Sequence, residues 1–356
     1  MRPSTADSGG RRGMGAPRDP PGERAGRDWG WVPYPEGHRK RASFIKNYES
    51  MLATREACRE HVYSPDVRAV LDSEAFRLAK SRRTLAYDPD AHPVLARFRA
   101  ATRDPGGDPT ADLSTLHHRF ETPHDRARSH LEDKSRFLGP LARPSRARDA
   151  FADAYDALVR EVILPAVVQP IPGEDRALYA AFPCVRVQQP CDFHTIRVHV
   201  DAMYCHPEGS INCWLPLTRT FGANSLHIES SPGAEDFEPL DMRPGQIAVF
   251  DGTACAHYTL ANTTERTRVS LDFRVVPGSA RDPDAEASST TLPGGGRRQI
   301  YNVGGYYSEA RLIDGAWIRT VAGTPCVRHG FPHVNPEPET DRLEQPPSDN
   351  RSRRAA

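Results

Sequence analysis

The 356-residue sequence predicts a mainly β fold with flanking helices. Short runs rich in Val, Ile, Thr, Phe and Tyr recur after about residue 178 between Gly, Pro, Asn and Asp, with the period of two that a strand requires. Seven of them, at 182-188, 195-204, 211-217, 224-230, 246-250, 255-261 and 267-275, follow one another closely enough for a sandwich, jelly roll or barrel. Between about 40 and 168 the spacing is helical instead. An apolar content of 38% supports a sizeable core, while 33 Pro and 26 Gly confine it to part of the chain.

Residues 1-27 lack apolar periodicity and are expected to form a disordered tail, as are residues 335-356. Between them, 28-334 reads as one domain. It has a mostly helical part at 28-177, a strand-rich core at 178-276, and a loop with C-terminal strands at 277-334. The helical part is expected to pack on the outer face of the core. Ser64, Pro65 and Asp66 give an N-cap, an N1 proline and a first-turn acid, and so start a helix over 65-80. A longer helix runs from Ser145 to Leu164, with Phe151, Ala154, Tyr155, Leu158 and Val162 on one face and Pro165 as its expected end. The polar stretch 103-144, with His117, His118, His124 and His130, reads as loop with short helices that could form a lid. The insert 278-298 reads as loop, and 299-303 and 311-319 as added edge strands. Gly304 to Tyr307 reads as a turn into aromatic packing or a lip over the site mouth.

Lys+Arg and Asp+Glu both number 47, so no global field holds a nucleic acid or an acidic membrane. Only Lys40, Lys46, Lys80 and Lys134 are lysines, and this Arg bias with the Ala, Gly and Pro load suggests a GC-rich bacterial genome. The most apolar run, 162-168, contains Pro165 and is far shorter than the roughly 20 residues of a membrane helix. Seven cysteines without CxxC spacing fit reduced thiols. A cytoplasmic monomer or homodimer without nucleic-acid or membrane partners is expected.

In the run TIRVHVDAMY, alternation places Arg197, His199 and Asp201 on one face and Ile196, Val198 and Val200 on the other. A His-x-Asp pair alone equally fits a His-carboxylate hydrogen bond at a strand end. Together with His257 it supplies two imidazoles and one carboxylate, the facial donor set of non-haem Fe(II) sites, and leaves three positions for a bidentate 2-oxo acid and O2. Arg268 follows His257 by eleven residues and offers a planar fork to a carboxylate, with the Ser270 hydroxyl two residues along on the same face.

The ordered motifs H-V-D (199-201), I-N-C-W (211-214), N-S-L-H-I-E-S (224-230), His257 and R-V-S-L-D-F-R (268-274) resemble those of the Fe(II)/2-oxoglutarate-dependent dioxygenases. The likeness is to the phytanoyl-CoA-hydroxylase-type branch, which includes a dioxygenase-like protein of streptomycin biosynthesis, and spans about 180 to 276. It implies a double-stranded β-helix (jelly roll) core, with His199, Asp201 and His257 on iron and Arg268 with Ser270 on the distal carboxylate of 2-oxoglutarate. It also implies Trp214 beside that cosubstrate and Thr259 within hydrogen-bonding reach. The related halogenases carry a small residue where this chain has Asp201, which sets them aside. The implied activity is O2-dependent oxidation of an unactivated C-H bond, by hydroxylation or a related outcome.

For the substrate, Arg186, Gln188 and Arg197 are read as lining an inner polar face, with Tyr204, His206, His227 and Glu229 as further candidates. Such a lining suits a small polar metabolite such as an aminocyclitol, sugar or amino acid of bacterial specialised metabolism. The structural alternatives are that Arg186 pairs with a buried acid and that His227 and Glu229 satisfy each other. Two other function classes compete: a cupin-like metal enzyme without a 2-oxo acid, which needs no Arg268, and a non-catalytic jelly-roll binding module. His329 and His333 have Gly330 and Pro332 between them, so no helix joins them into a second metal site. Cys205 and Cys213 read as inert buried thiols.

Overall fold

The structure, a computed structural model, describes residues 29-58, 62-102, 112-118, 138-191, 196-204, 206-282, 301-324, 327-328 and 331-332. Both expected tails, His124, His130, Cys205, His329, His333 and most of the 278-298 insert lie outside the described residues. No helix among the described residues is long and apolar enough to cross a membrane.

Two antiparallel sheets face each other. The larger has eight strands in the order β1 (Arg83–Ala86), β7 (Gln246–Phe250), β4 (Ile211–Pro216), β9 (Arg268–Pro277), β2 (Arg176–Ala180), β10 (Tyr307–Ile313) and β11 (Ala316–Val321), with β3 (Cys184–Gln188) also paired to β9. The ten-residue β9 is long enough to take β4 along one side and, end to end, β3 and β2 along the other. The smaller sheet is β6 (Glu238–Pro239), β5 (Leu226–Ile228) and β8 (His257–Thr259), and a single bridge from His199 to His257 extends it.

Period-two alternation sorts the side chains of the large sheet between two cores. Cys213 and Leu215 of β4, Val249 of β7 and Leu271, Phe273 and Val275 of β9 share one apolar cluster with Phe98, Phe151, Tyr155 and Leu158. These last four come from α4 (Val94–Thr102) and α5 (Arg146–Leu158). The Tyr155 and Phe273 rings meet edge to face at 5.0 Å, and the Tyr155 hydroxyl donates to the Ala180 carbonyl at 2.8 Å, which satisfies its one polar atom. The opposite face sends Trp214, Ala248 and Phe250 against Leu226 and Ile228 of the small sheet.

The helices before residue 178 lie on more than one side. While α4 and α5 join the large sheet's cluster, α1 (Arg41–Cys58) packs Phe44, Tyr48 and Met51 against Val198, Val200, Ala256 and Tyr258, behind the segments that carry His199 and His257.

Several elements depart from the expected outline. The single helix over 65-80 is two, α2 (Pro65–Leu71) and α3 (Glu74–Lys80), because Ser73 breaks the ladder by accepting from Phe76 N as a second N-cap. Pro165 does not end the helix at 164. A π-helical turn, Val159–Ile163, carries the Leu164 N–H back to the Val159 carbonyl, and Pro165 enters the first turn of α6 (Leu164–Val167), where its missing N–H costs little. The run 311-319 is a hairpin rather than one edge strand: Asp314 and Gly315 both adopt positive φ, 49° and 80°, as a two-residue turn between β10 and β11 requires. Of the run 299-303 only 301-303 are described, and there Val303 makes an isolated bridge to Tyr307.

The most consequential departure is at 195-204. Among its described residues only His199 makes a bridge, and Asp201–Tyr204 is a 3₁₀ turn. The Asp201 N–H goes to the Gly252 carbonyl at 2.8 Å and Met203 N–H closes on Val200 at 3.0 Å, so the ladder stops at the metal-type residues instead of running through them.

The Tyr155 and Phe273 contact predicts the cost of opening the large sheet's outer core. Phe273→Ala is expected to destabilise the protein by about 3–5 kcal/mol in chemical denaturation, whereas Ile313→Ala, on an exposed hairpin residue, is expected to change it by less than about 0.5 kcal/mol.

Candidate active site

His199, Asp201 and His257 are all buried, and one ligand atom from each lies within 4.8 Å of the other two. Mutual backbone bonds between His199 and His257, at 3.1 and 2.9 Å, fix the two segments side by side. His199 Nδ1 is 2.8 Å from the Arg197 carbonyl and His257 Nδ1 is 3.0 Å from the Cys255 carbonyl. A carbonyl can only accept, so Nδ1 carries the proton and each Nε2 keeps its lone pair. Both Nε2 atoms sit 3.6 Å from Asp201 Oδ1. The three donor atoms therefore converge on one point, and their chemistry suits a divalent transition metal.

The second oxygen of Asp201 is occupied. Its Oδ2 accepts from Asn212 Nδ2 at 2.5 Å, from Arg274 Nη2 at 2.6 Å and from Arg274 Nε at 3.0 Å. Burial works to raise the Asp201 pKa, but Arg274 and His257 overcome it and hold the carboxyl well below its ordinary range. Asn212 and Arg274 are cross-strand partners on β4 and β9, so one register pair supplies both donors. Neither stands among the site residues read from the sequence, although both belong to the quoted motifs, and Arg274 shares the face of Arg268 and Ser270 by simple alternation.

Arg268 is 1% exposed, and its Nε and Nη1 have no hydrogen-bond partner among the described residues. Burial, and then the nearby charge of Arg186, pull its pKa down to about 9. The Trp214 ring lies 5.9 Å from its guanidinium carbon, and Ser270 Oγ is buried without a partner among the described residues. An unpaired buried guanidinium beside an unused hydroxyl is costly, and a carboxylate is the ligand that would satisfy both.

The other expected contacts are placed as follows. The Thr259 hydroxyl accepts from Ile196 N at 2.9 Å, so it holds the chain just before His199. Arg186 is paired with Asp272 at 2.9 Å, the buried-acid alternative, and Asp272 also lies 3.4 Å from Arg274. Gln188 spends Nε2 on the Leu260 carbonyl at 2.7 Å while its Oε1 has no partner among the described residues. Arg197 is exposed and gives its carbonyl to His199. His227 stacks on Tyr258 at 5.4 Å; Leu226 and Ile228 on either side of it point into the sandwich, so His227 takes the opposite face of β5. Glu229 does not pair with His227, because it accepts from the backbone of Ala256 at 2.7 Å and Gly233 at 2.9 Å. His206 and Tyr301 are joined at 3.2 Å beside Tyr306, so Gly304 to Tyr307 leads into aromatic packing. Burial pushes the Cys213 thiol up to about 12, as an inert thiol should be.

Lys80 closes the back of the site. It is buried, and its Nζ donates to Asp251 at 2.8 Å, Thr253 at 2.9 Å and the Glu208 carbonyl at 2.7 Å. Two of its donors hold the turn that contains Gly252, and the third ties that turn to the Glu208 carbonyl.

With this geometry in hand, comparison with known proteins adds the following. No family model matches the chain. The streptomycin biosynthesis protein StrG of Streptomyces griseus is 40% identical over 96 residues, 27% of this chain and 45% of the relative. The chain thus spans less than half the length of the curated relative it matches. Among solved structures, the non-heme monooxygenase ThoJ, as a nickel complex, is similar at 18% identity and a TM-score of 0.32, covering 52% of this chain and 77% of its own. The non-heme alpha-ketoglutarate-dependent epimerase SnoN of nogalamycin biosynthesis shows 15% identity and a TM-score of 0.32 over 62% of this chain and 98% of its own. A Pseudomonas putida prolyl-4-hydroxylase shows 15% and 0.31 over 59% and 98%.

The buried imidazoles carry a pH consequence. Burial above all pushes His206 down to about 3 and His227 to about 4, against an ordinary 6.5. Below 6.5 the unfolded chain gains protons that the fold refuses, so each group lowers stability as pH falls from about 6.5 toward its folded value. Urea melts of the metal-free protein between pH 7 and about 4 are expected to show a falling midpoint, and His227→Gln to flatten part of that slope.

Proposed function

We propose that the protein is an Fe(II)/2-oxoglutarate-dependent oxygenase. The observation that carries this reading is Arg268, a buried guanidinium whose Nε and Nη1 are unpaired among the described residues, on a sandwich that also holds the His199, Asp201 and His257 donor set. A metal site alone would fit many enzymes. A second buried site built for a carboxylate is what separates this reading from a cupin-like metal enzyme.

In this reading His199 Nε2, His257 Nε2 and Asp201 Oδ1 hold the iron, and Arg268 with Ser270 binds the distal carboxylate of 2-oxoglutarate. When bound, the metal and cosubstrate supply O2-dependent oxidation of a C-H bond. The chain's own residues bind, orient and exclude water. The Nδ1–H bonds of His199 and His257 aim their rings. Trp214 and Phe250 of the large sheet pack with Leu226 and Ile228 of the small one and keep the interior apolar, and the Phe250 ring lies 5.5 Å from that of His257. No side-chain acid–base pair is required.

The finer assignment is to the phytanoyl-CoA-hydroxylase-type branch and its double-stranded β-helix, with a small polar metabolite of bacterial specialised metabolism as substrate. The partial likeness to StrG, whose name ties it to streptomycin biosynthesis, supports an aminocyclitol, sugar or amino acid. Of the polar candidates, exposed Arg197 retains its side chain for such a substrate at the mouth, next to half-exposed Tyr204, whose ring stands edge-on to His199 at 5.3 Å.

Anaerobic addition of Fe(II) and 2-oxoglutarate to the purified protein tests this directly. A weak visible charge-transfer band from the chelated 2-oxo acid is expected in wild type and none in His199→Ala. Arg268→Ala is expected to need about ten- to a hundred-fold more 2-oxoglutarate, the loss of a charge-assisted pair. Bound iron without a band would move the assignment to a metal enzyme that uses no 2-oxo acid, and failure to bind iron to a binding module.

A further inference from the structure

The two oxygens of Asp201 are unequal. Oδ1 faces both imidazoles at 3.6 Å, and Oδ2 takes three N–H donors from Asn212 and Arg274. A carboxylate oxygen has two lone-pair directions, and these three donors saturate those of Oδ2. Oδ2 is therefore withdrawn from any metal that Oδ1 touches.

The donors are themselves penned in. Gly252 has an ordinary backbone conformation, so glycine is not needed there for its dihedral freedom. Space is what it provides: a Cβ at that position would lie 2.6 Å from Asn212 Oδ1 and closer still to Cγ and Nδ2 of the same amide. The amide therefore occupies the space that a side chain at position 252 would need. The same glycine's carbonyl accepts the Asp201 N–H at 2.8 Å, so one residue positions the aspartate backbone and the amide that orients its side chain. On the other side, Arg274 is held by Asp272 at 3.4 Å, and Asp272 by Arg186 at 2.9 Å.

We propose that Asn212, Arg274 and Gly252 form a positioning clamp that confines Asp201 to metal binding through Oδ1 alone, and so keeps open the coordination position that a chelating carboxylate would fill. The proposal rests on the metal-centre reading above. It gives these residues a role beyond stability: three open positions are needed for a bidentate 2-oxo acid and O2, and a carboxylate that swung to two-point binding would remove one of them. None of the three is a metal ligand, and each acts through Asp201.

The test uses the full-length metal-free protein titrated with Co(II), with calorimetric affinity and the visible ligand-field spectrum as readouts. Gly252→Ala, Asn212→Ala and Arg274→Lys are each expected to weaken Co(II) binding by about ten- to a hundred-fold. They are also expected to alter the intensity and position of the cobalt bands, since the aspartate is freed to change its binding mode. An ammonium cannot make the two-pronged contact of a guanidinium, so the conservative exchange of Arg274 should not preserve binding. A purely structural role would lower the melting temperature and leave the affinity and spectrum of the folded protein unchanged, and that result in all three variants overturns the clamp. Should Arg274→Lys fail to fold, Gly252→Ala and Asn212→Ala decide, because both leave Arg274 paired with Asp201. Wild type that binds no Co(II) would overturn the metal-centre reading itself, whereas binding by wild type with unchanged variants overturns the clamp alone.

Discussion

Burying a carboxylate costs several kcal/mol unless partners replace the water it gives up. Asp201 is 1% exposed, and much of the surrounding architecture serves to replace that water. The 3₁₀ turn at Asp201–Tyr204, the Gly252 carbonyl, the Asn212 amide and the Arg274 guanidinium all meet this one residue, from segments far apart in sequence. Its remaining oxygen is left to the two imidazoles. The arrangement is stable as a whole and poor in its parts, because removing any one donor strands a charge in the interior.

Strand β9 is the spine of this arrangement. Its outward residues, Leu271, Phe273 and Val275, bind the sheet to α4 and α5, while its inward residues, Arg268, Ser270, Asp272 and Arg274, form a ladder of charge and hydroxyl. Partners on β3 and β4 answer the two steps at one end of that ladder, Arg186 for Asp272 and Asn212 beside Arg274. Arg268 is the charged step left without an answer among the described residues. Among the described residues, the strand compensates its other charges and leaves this one bare.

Much of this was legible in the sequence where one local rule decides. Alternation identified β7 at 246-250, the cap at Ser64 placed a helix start, and the His-x-Asp and His257 order marked three residues that the fold gathers. What was not legible depends on distant partners. Nothing within 195-204 announces that Asp201 N–H will leave its strand for Gly252, or that Arg274 will reach back across 73 positions to Asp201. Other features left a readable trace: Asp314-Gly315 is a strong hairpin signal, and Leu226 and Ile228 in the core already turn His227 outward by parity. Ser73 is the intermediate case, a residue as compatible with helix interior as with a cap until the preceding turn is seen to end at Leu71.

The buried Lys80 has a consequence for how this protein can be cut. Every candidate ligand lies after residue 198, and the stretch that resembles a known relative is about a quarter of the chain, which invites excision of that stretch as a minimal enzyme. Yet Lys80 belongs to α3, and its ammonium threads together the Glu208 carbonyl and the Asp251 and Thr253 side chains on either side of Gly252. A fragment beginning at the first core strand would keep all the metal-type donors and lose the peg that seats the turn behind them. The unit of inheritance visible in the sequence is therefore smaller than the unit of assembly, and a graft of the motif-bearing segment onto another scaffold must bring a cation from elsewhere to the same spot.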